Sequence, residues 1–290
     1  MDVAIAQRAG SPSWNPLHSD GTPLPPSWLL SAKLLAFLLF PARRMLDAGR
    51  PFLPFLPQLD APFFATWLMP AVIVAFYAAV AALMVNRLVR AACVTIACGI
   101  FVHVAAHRLE YANSLLFPSV FLLLIGLYTP RTGVWPLRIQ LALVYIGASL
   151  NKALDPDWWH GRFFDTLMID ALHVRWYALA AGHLPPHALG AIVGALTIAA
   201  EASIALATIL WRDSRAGIVS MIVFHTTMLV LTGGQLSVLF LCSALAIAPA
   251  FLEPSSSSER ILRTPPLLWW AIVLFVRLLP RLLPYAQRLP

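Results

Sequence analysis

The sequence predicts an all-α fold, a polytopic transmembrane helix bundle of about eight or nine spans with an amphipathic helix on its outer face. Three observations predict it. Of 290 residues, 60% are hydrophobic and 11% charged, and the mean hydropathy is +0.77, far from the composition of a soluble domain. Apolar runs recur about every 25 to 35 residues from Trp28 onward. Arginines cluster in the short segments between those runs, where they act as topology signals. The lipid bilayer is therefore the expected partner. The net charge of +7 is accounted for by those arginines, and no nucleic acid is expected. Cys93 and Cys98 share one apolar run and Cys242 lies in another, so the spacing gives neither a disulfide framework nor a zinc pattern.

Residues 1–26 are broken by Pro12, Pro16, Pro23, Pro25 and Pro26 and read as a flexible Pro/Ser-rich tail without a signal-peptide core. Residues 27–290 read as a single helical transmembrane domain. Helices are expected at about 27–40, 61–85, 91–106, 114–129, 137–153, 186–210, 216–232, 235–252 and 267–284. The first is short and carries Lys33, which fits either a tilted span or a helix lying at the interface. The last contains Arg277 and Pro280 and is expected to be kinked or half inserted.

With the first helix spanning, Arg87, Arg90, Arg131, Arg138, Arg212, Arg215, Arg260 and Arg263 fall on one side. Arginine in short loops marks the cytoplasmic face, so the N-terminus is expected inside and residues 155–186 outside. Arg43, Arg44 and Arg50 on the opposite side moderate the bias. In the outer segment, Trp158, Trp159, Phe163, Phe164, Leu167, Met168, Leu172, Trp176 and Tyr177 recur at near-helical spacing. This predicts an amphipathic helix in the headgroup layer, either an anchoring belt or a cover over a substrate.

Only two of the twenty basic residues are lysines, Lys33 and Lys152. A partly desolvated lysine can lose its proton near neutral pH and act as a base, whereas arginine cannot. Tyr145, Ser149 and Lys152 fall at helical spacings of four and three, with Asn151 beside them. Lys152 reads either as that base or as a snorkelling residue paired with Asp155 or Asp157. Glu201 is the only carboxylate deep inside an expected span. His225 reaches nearly the same depth on the next helix, so a Glu201–His225 hydrogen bond is expected, serving as a helix clamp, a proton relay or a ligand site. Lys152 is expected nearer the outer rim than either. His103 and His107 are spaced four apart with Glu110 nearby, a weak pattern from which no metal site is expected.

The stretch RIQLALVYIGASLNKALDPDWWHG, Arg138 to Gly161, resembles the signature of the vitamin K-dependent gamma-carboxylase-like group, also called HTTM membrane proteins. That signature is an apolar helix ending in small residues and a lysine, followed by Trp-x-x-Gly. Lys152, Trp158 and Gly161 supply those elements, and the resemblance extends over most of residues 28–252. It implies that Lys152 is the catalytic base. In the carboxylase the matching lysine deprotonates reduced vitamin K, which reacts with oxygen to form a strong base that removes a proton from a substrate glutamate, a lyase chemistry. The ligand-binding candidates around Lys152 are then Tyr145, Ser149, Asn151, Trp158, Glu201 and His225. The family's Asn-His pair corresponds to Asn113-Ser114, without the histidine, and no counterpart of the animal carboxylase's extramembrane C-terminal region is evident. These departures point away from glutamate carboxylation. The expectation is an enzyme of a bacterial inner membrane using Lys152 as general base on a quinone-like or other lipid-soluble small molecule. The alternative is a noncatalytic membrane component, an accessory, immunity or maturation partner of another protein.

Overall fold

The computed structural model describes residues 24–40, 64–106, 113–130, 132–211, 215–252, 267 and 270–276. The tail before residue 24, Arg43, Arg44, Arg50, His107, Glu110, Arg131, Arg212, Arg260, Arg263, Arg277 and Pro280 lie outside the described residues, as do the side chains of Asn113 and Ser114. Among the described residues the regular structure is entirely helical. The helices are α1 (Pro26–Leu39), α2 (Met69–Met84, preceded by the π-helical turn Phe64–Leu68), α3 (Val89–Ala106), α4 (Asn113–Gly126) and α5 (Trp135–Leu154). There follow α6 (Pro156–Trp159), α7 (Arg162–Asp165, running into a π-helical turn Thr166–Ala171), α8 (Arg175–Ala181), α9 (Ala188–Leu210), α10 (Arg215–Leu231) and α11 (Val238–Phe251).

Three of them are long and apolar enough to cross a membrane: Thr66–Met84, Val89–Ala106 and Ala188–Leu210. The apolar helices α1, α10 and α11 and the Leu115–Gly126 stretch of α4 are shorter. The 20-residue α5 has the length but carries Arg138, Gln140, Asn151 and Lys152.

Helix α1 lies in the middle of the bundle, packed chiefly on α11 and α4. Leu34, Leu35 and Ala36 are fully buried, so the short first helix is a core element of the bundle. Its Ser31 hydroxyl accepts from Ala250 N–H (3.1 Å) and lies 3.4 Å from Ile247 O. This is beside Pro249, which lacks the donor that an α-helical ladder needs. On one side of this core stand α2 and α3; on the other, α10 and α9 lead to α5, with α5 and α9 packed extensively.

Residues 155–186 differ from the single amphipathic helix expected. Pro156 starts a four-residue helix, Gly161 (φ +78°) and His173 (φ +52°) turn the chain left-handed, and Pro185–Pro186 precede α9. The result is three short helices, α6 to α8, folded over one end of the bundle. Their aromatic residues form a separate apolar cluster: Trp158, Phe164, Met168, Val174 and Tyr177 are buried, while Trp159, Phe163 and Trp176 stay exposed.

Candidate functional site

Helices α5 and α9 run antiparallel. Arg138 near the start of α5 reaches the last turn of α9, donating from Nε to Thr208 O (2.8 Å) and from a terminal nitrogen to Ile209 O (3.3 Å) and Trp211 O. In the last turn of α5, Lys152 Nζ lies 2.8 Å from Glu201 Oε2 and 3.0 Å from Oε1. Helical side chains lean toward the N-terminus of their own helix. Lys152 therefore leans down the bundle and Glu201 leans up, and the two meet. Their side chains are 19% and 9% exposed, so both ions are largely withdrawn from solvent.

This pairing departs from the sequence expectation. Glu201 bonds to Lys152, not to His225, and Lys152 does not pair with Asp155 or Asp157. The Asp155 carboxylate instead accepts from Asp157 N–H (3.0 Å), capping α6. Glu201 stands 13 residues into α9, about 20 Å from its start at ~1.5 Å per residue. Lys152 is level with it because the first two turns of α9 project past the end of α5 and stack against α6 and α7.

His225 is buried on α10 and takes Tyr145 as its partner, with Nε2 2.6 Å from the phenol oxygen. Phe240 stacks on its imidazole at 5.4 Å and 11°. Among the described residues no hydrogen bond reaches His225 Nδ1. The predicted face of α5 is real at Tyr145, Ser149 and Lys152. Ser149 is buried but donates to Ile146 O within its own helix (3.1 Å), and Asn151 points outward and is exposed. Neither joins the two pairs.

Trp158 closes the site from the α6 side, its ring centroid 5.1 Å from Lys152 Nζ, within cation–π range. Three glycines make the approach possible. A Cβ at Gly194 would lie 2.4 Å from Trp158 O, one at Gly190 2.2 Å from Gly161 O, and one at Gly161 2.1 Å from His187 O. Sequence reasoning singled out Gly161 but passed over Gly190 and Gly194, whose spacing of four on one helix face was the available signal. It also passed over Asp165, whose carboxylate binds both Tyr177 OH and His187 Nδ1 at 2.7 Å. Burial and this carboxylate push the Tyr177 phenol above its ordinary range, which keeps its hydroxyl a donor.

His103 is buried on α3; its expected companions His107 and Glu110 fall outside the described residues. A surface groove formed by Ser203, Leu206, Ala207, Leu210 and Trp211 opens on the far face of α9 from Glu201. No family model, curated protein or solved structure matches the chain.

Proposed function

We propose that the chain is a multi-pass membrane protein, similar to the HTTM group, in which Lys152 serves as general base toward a lipid-soluble small molecule, quinone-like in character. The observation that carries this reading is the Lys152–Glu201 pair, 2.8 Å apart and mostly buried between α5 and α9. In water such a pair is two solvated ions. With the solvent largely removed, the ammonium has Glu201 as its proton acceptor in place of water. Once its proton has passed there, the amine has a lone pair to offer. A ligand proton transfers to Lys152, leaving the ligand anion beside an ammonium that stabilises it. Tyr145 and His225 supply a second proton-exchanging pair near the first.

The membrane setting rests on length and on surface. Helices α1 to α5 and α9 to α11 are the eight proposed crossings, with residues 270–276 part of a ninth. Trp135 and Trp211 are exposed at one end of the bundle and Trp159 and Trp176 at the other, as aromatic belts are at the two interfaces. Along α9, Gly194 beside Trp158 and Trp211 are separated by about 26 Å at ~1.5 Å per residue, near the ~30 Å thickness of a hydrocarbon core. Short helices such as α1 and α11 are tolerable because surrounding helices shield them from lipid. Helix α6 to α8 would lie in the outer headgroup layer of a bacterial inner membrane, with the arginine-bearing end in the cytoplasm.

A second reading is favoured by one feature. Both Glu201 oxygens are engaged by a single Lys152 nitrogen along an extensive helix interface, as in a clamp within a noncatalytic accessory, immunity or maturation partner. Native mass spectrometry of the purified protein separates the two. A small lipid-soluble molecule should be retained by the wild type and lost from a folded Lys152→Ala variant. Absence of any such molecule from both forms rejects the enzyme reading in favour of the clamp.

A further inference from the structure

We infer that Asp165 is a positioning residue for the Lys152 site, tying α7 to α8 and to the start of α9 so that the Trp158 indole is held over the Lys152 ammonium. The need for such a residue follows from the size of α6. A four-residue helix has too few hydrogen bonds to hold its own place, so its neighbours set the position of Trp158. Phe163 stacks on the indole at 4.2 Å and 17°, and Phe164 meets it edge-on at 5.2 Å. Both belong to α7, directly before Asp165, so whatever orients α7 orients the indole.

Asp165 is the polar junction of that region. Its Oδ1 accepts from Tyr177 OH of α8, and its Oδ2 lies 2.7 Å from Nδ1 of His187, the residue before the first turn of α9. Tyr177 is fully buried, so its hydroxyl has no solvent to fall back on. His187 holds a left-handed backbone (φ +65°), uncommon for a residue with a side chain. A Cβ at Gly190 would come within 2.9 Å of Asp165 Oδ1, so the bare helix surface at Gly190 is the seat of this carboxylate. The negative charge also sits by the N-terminus of α9, where the helix dipole favours it.

The inference rests on the reading of Lys152 as the working group, but its test needs no ligand. The chain has two lysines, and Lys33 stands toward the opposite end of the bundle with Nζ 3.1 Å from Met84 O. Reductive methylation of the full-length protein with formaldehyde in detergent, quantified at each lysine by peptide mass spectrometry, gives a Lys152:Lys33 ratio. Global loosening would raise both lysines and leave that ratio flat. In Asp165→Ala the ratio should rise on the order of tenfold as the indole leaves the ammonium. Gly190→Ala, whose Cβ would press first on Gly161 O and then on the carboxylate, should act in the same direction. Asp165→Asn should restore most of the protection, since its amide offers an oxygen to Tyr177 and a donor to His187. Trp158→Phe should also raise the ratio, and adding Asp165→Ala to it should add little, because Asp165 acts through Trp158. A flat ratio in Asp165→Ala, or full additivity with Trp158→Phe, overturns the inference. Failure of the ligand search alone would leave it standing.

Discussion

The two ends of the bundle solve one problem in different ways. The last carbonyls of a helix have no partner within it. At one end they are met by cations: Lys33 reaches Met84 of α2, Arg90 reaches Tyr128 just past α4, and Arg138 reaches three carbonyls closing α9. At the other end they are met by neutral indoles. Trp159 Nε1 donates to Ala153 O of α5 and Trp176 Nε1 to Leu231 O of α10, each at 2.7 Å. An indole serves as donor without a charge that must be carried across a bilayer, and it favours the interface. Lys152 stands out against this division. Among the described residues it is the one lysine or arginine on the indole-capped half of a bundle helix, and its main partner is a carboxylate.

The sharpest way to break the comparison is all-or-none. A cysteine at exposed His183 should react with an impermeant maleimide in intact cells, and one at exposed Arg87 should react only after lysis. The reverse pattern would invert the orientation drawn from the cations.

Next in size is the ion pair. Glu201→Ala, leaving Lys152 largely buried without its carboxylate, should cost about 3–5 kcal/mol. The apolar double variant Lys152→Met/Glu201→Leu should recover most of that loss. Unfolding in detergent across the double-mutant cycle measures the coupling, and a loss no greater than that of a surface change would show the pair to be solvated.

At the cationic end, Arg138→Met strands three carbonyls and should cost about 2–3 kcal/mol in the same assay. Arg138→Lys should recover little, since a single ammonium cannot reproduce the guanidinium fork. Gly194→Ala should cost about 1–3 kcal/mol, because its Cβ would press on the Trp158 carbonyl. Smallest is Trp176→Phe, which keeps most of the ring and loses one neutral hydrogen bond, at about 1 kcal/mol. If Trp176→Phe were to cost as much as Arg138→Met, charge would not be what separates the two ends.

The helices of the bundle were legible because apolar runs report where a chain can be buried. The described helices from α1 to α5 and α9 to α11 begin and end within a few residues of those runs, except that α2 starts at Met69 after a π-helical turn. Lys152, Glu201, His225 and Tyr145 were legible as polar groups in apolar helices, each needing a partner. Which partner each takes was not, because pairing depends on relative helix height, and α9 projects beyond α5. Residues 155–186 kept their apolar spacing, yet periodicity could not register the left-handed turns at Gly161 and His173. Gly190 and Gly194 give no sign in the sequence of the chain that lies against them, because a glycine in a helix does not name its neighbour.

The packing of α1 on α11 also sets an order of assembly. Ser31 and Ile247 are 216 residues apart in the chain. At ribosomal speeds of about 5–20 residues per second, the first helix is made roughly 10–40 s before its main neighbour. Through that interval the Leu34–Leu39 face, with Lys33 beside it, has to be sheltered by lipid, by the insertion machinery or by a provisional partner such as α4. The centre of this protein is thus among the last parts to be completed, and a stalled or truncated chain would expose that face to the cell's membrane quality control.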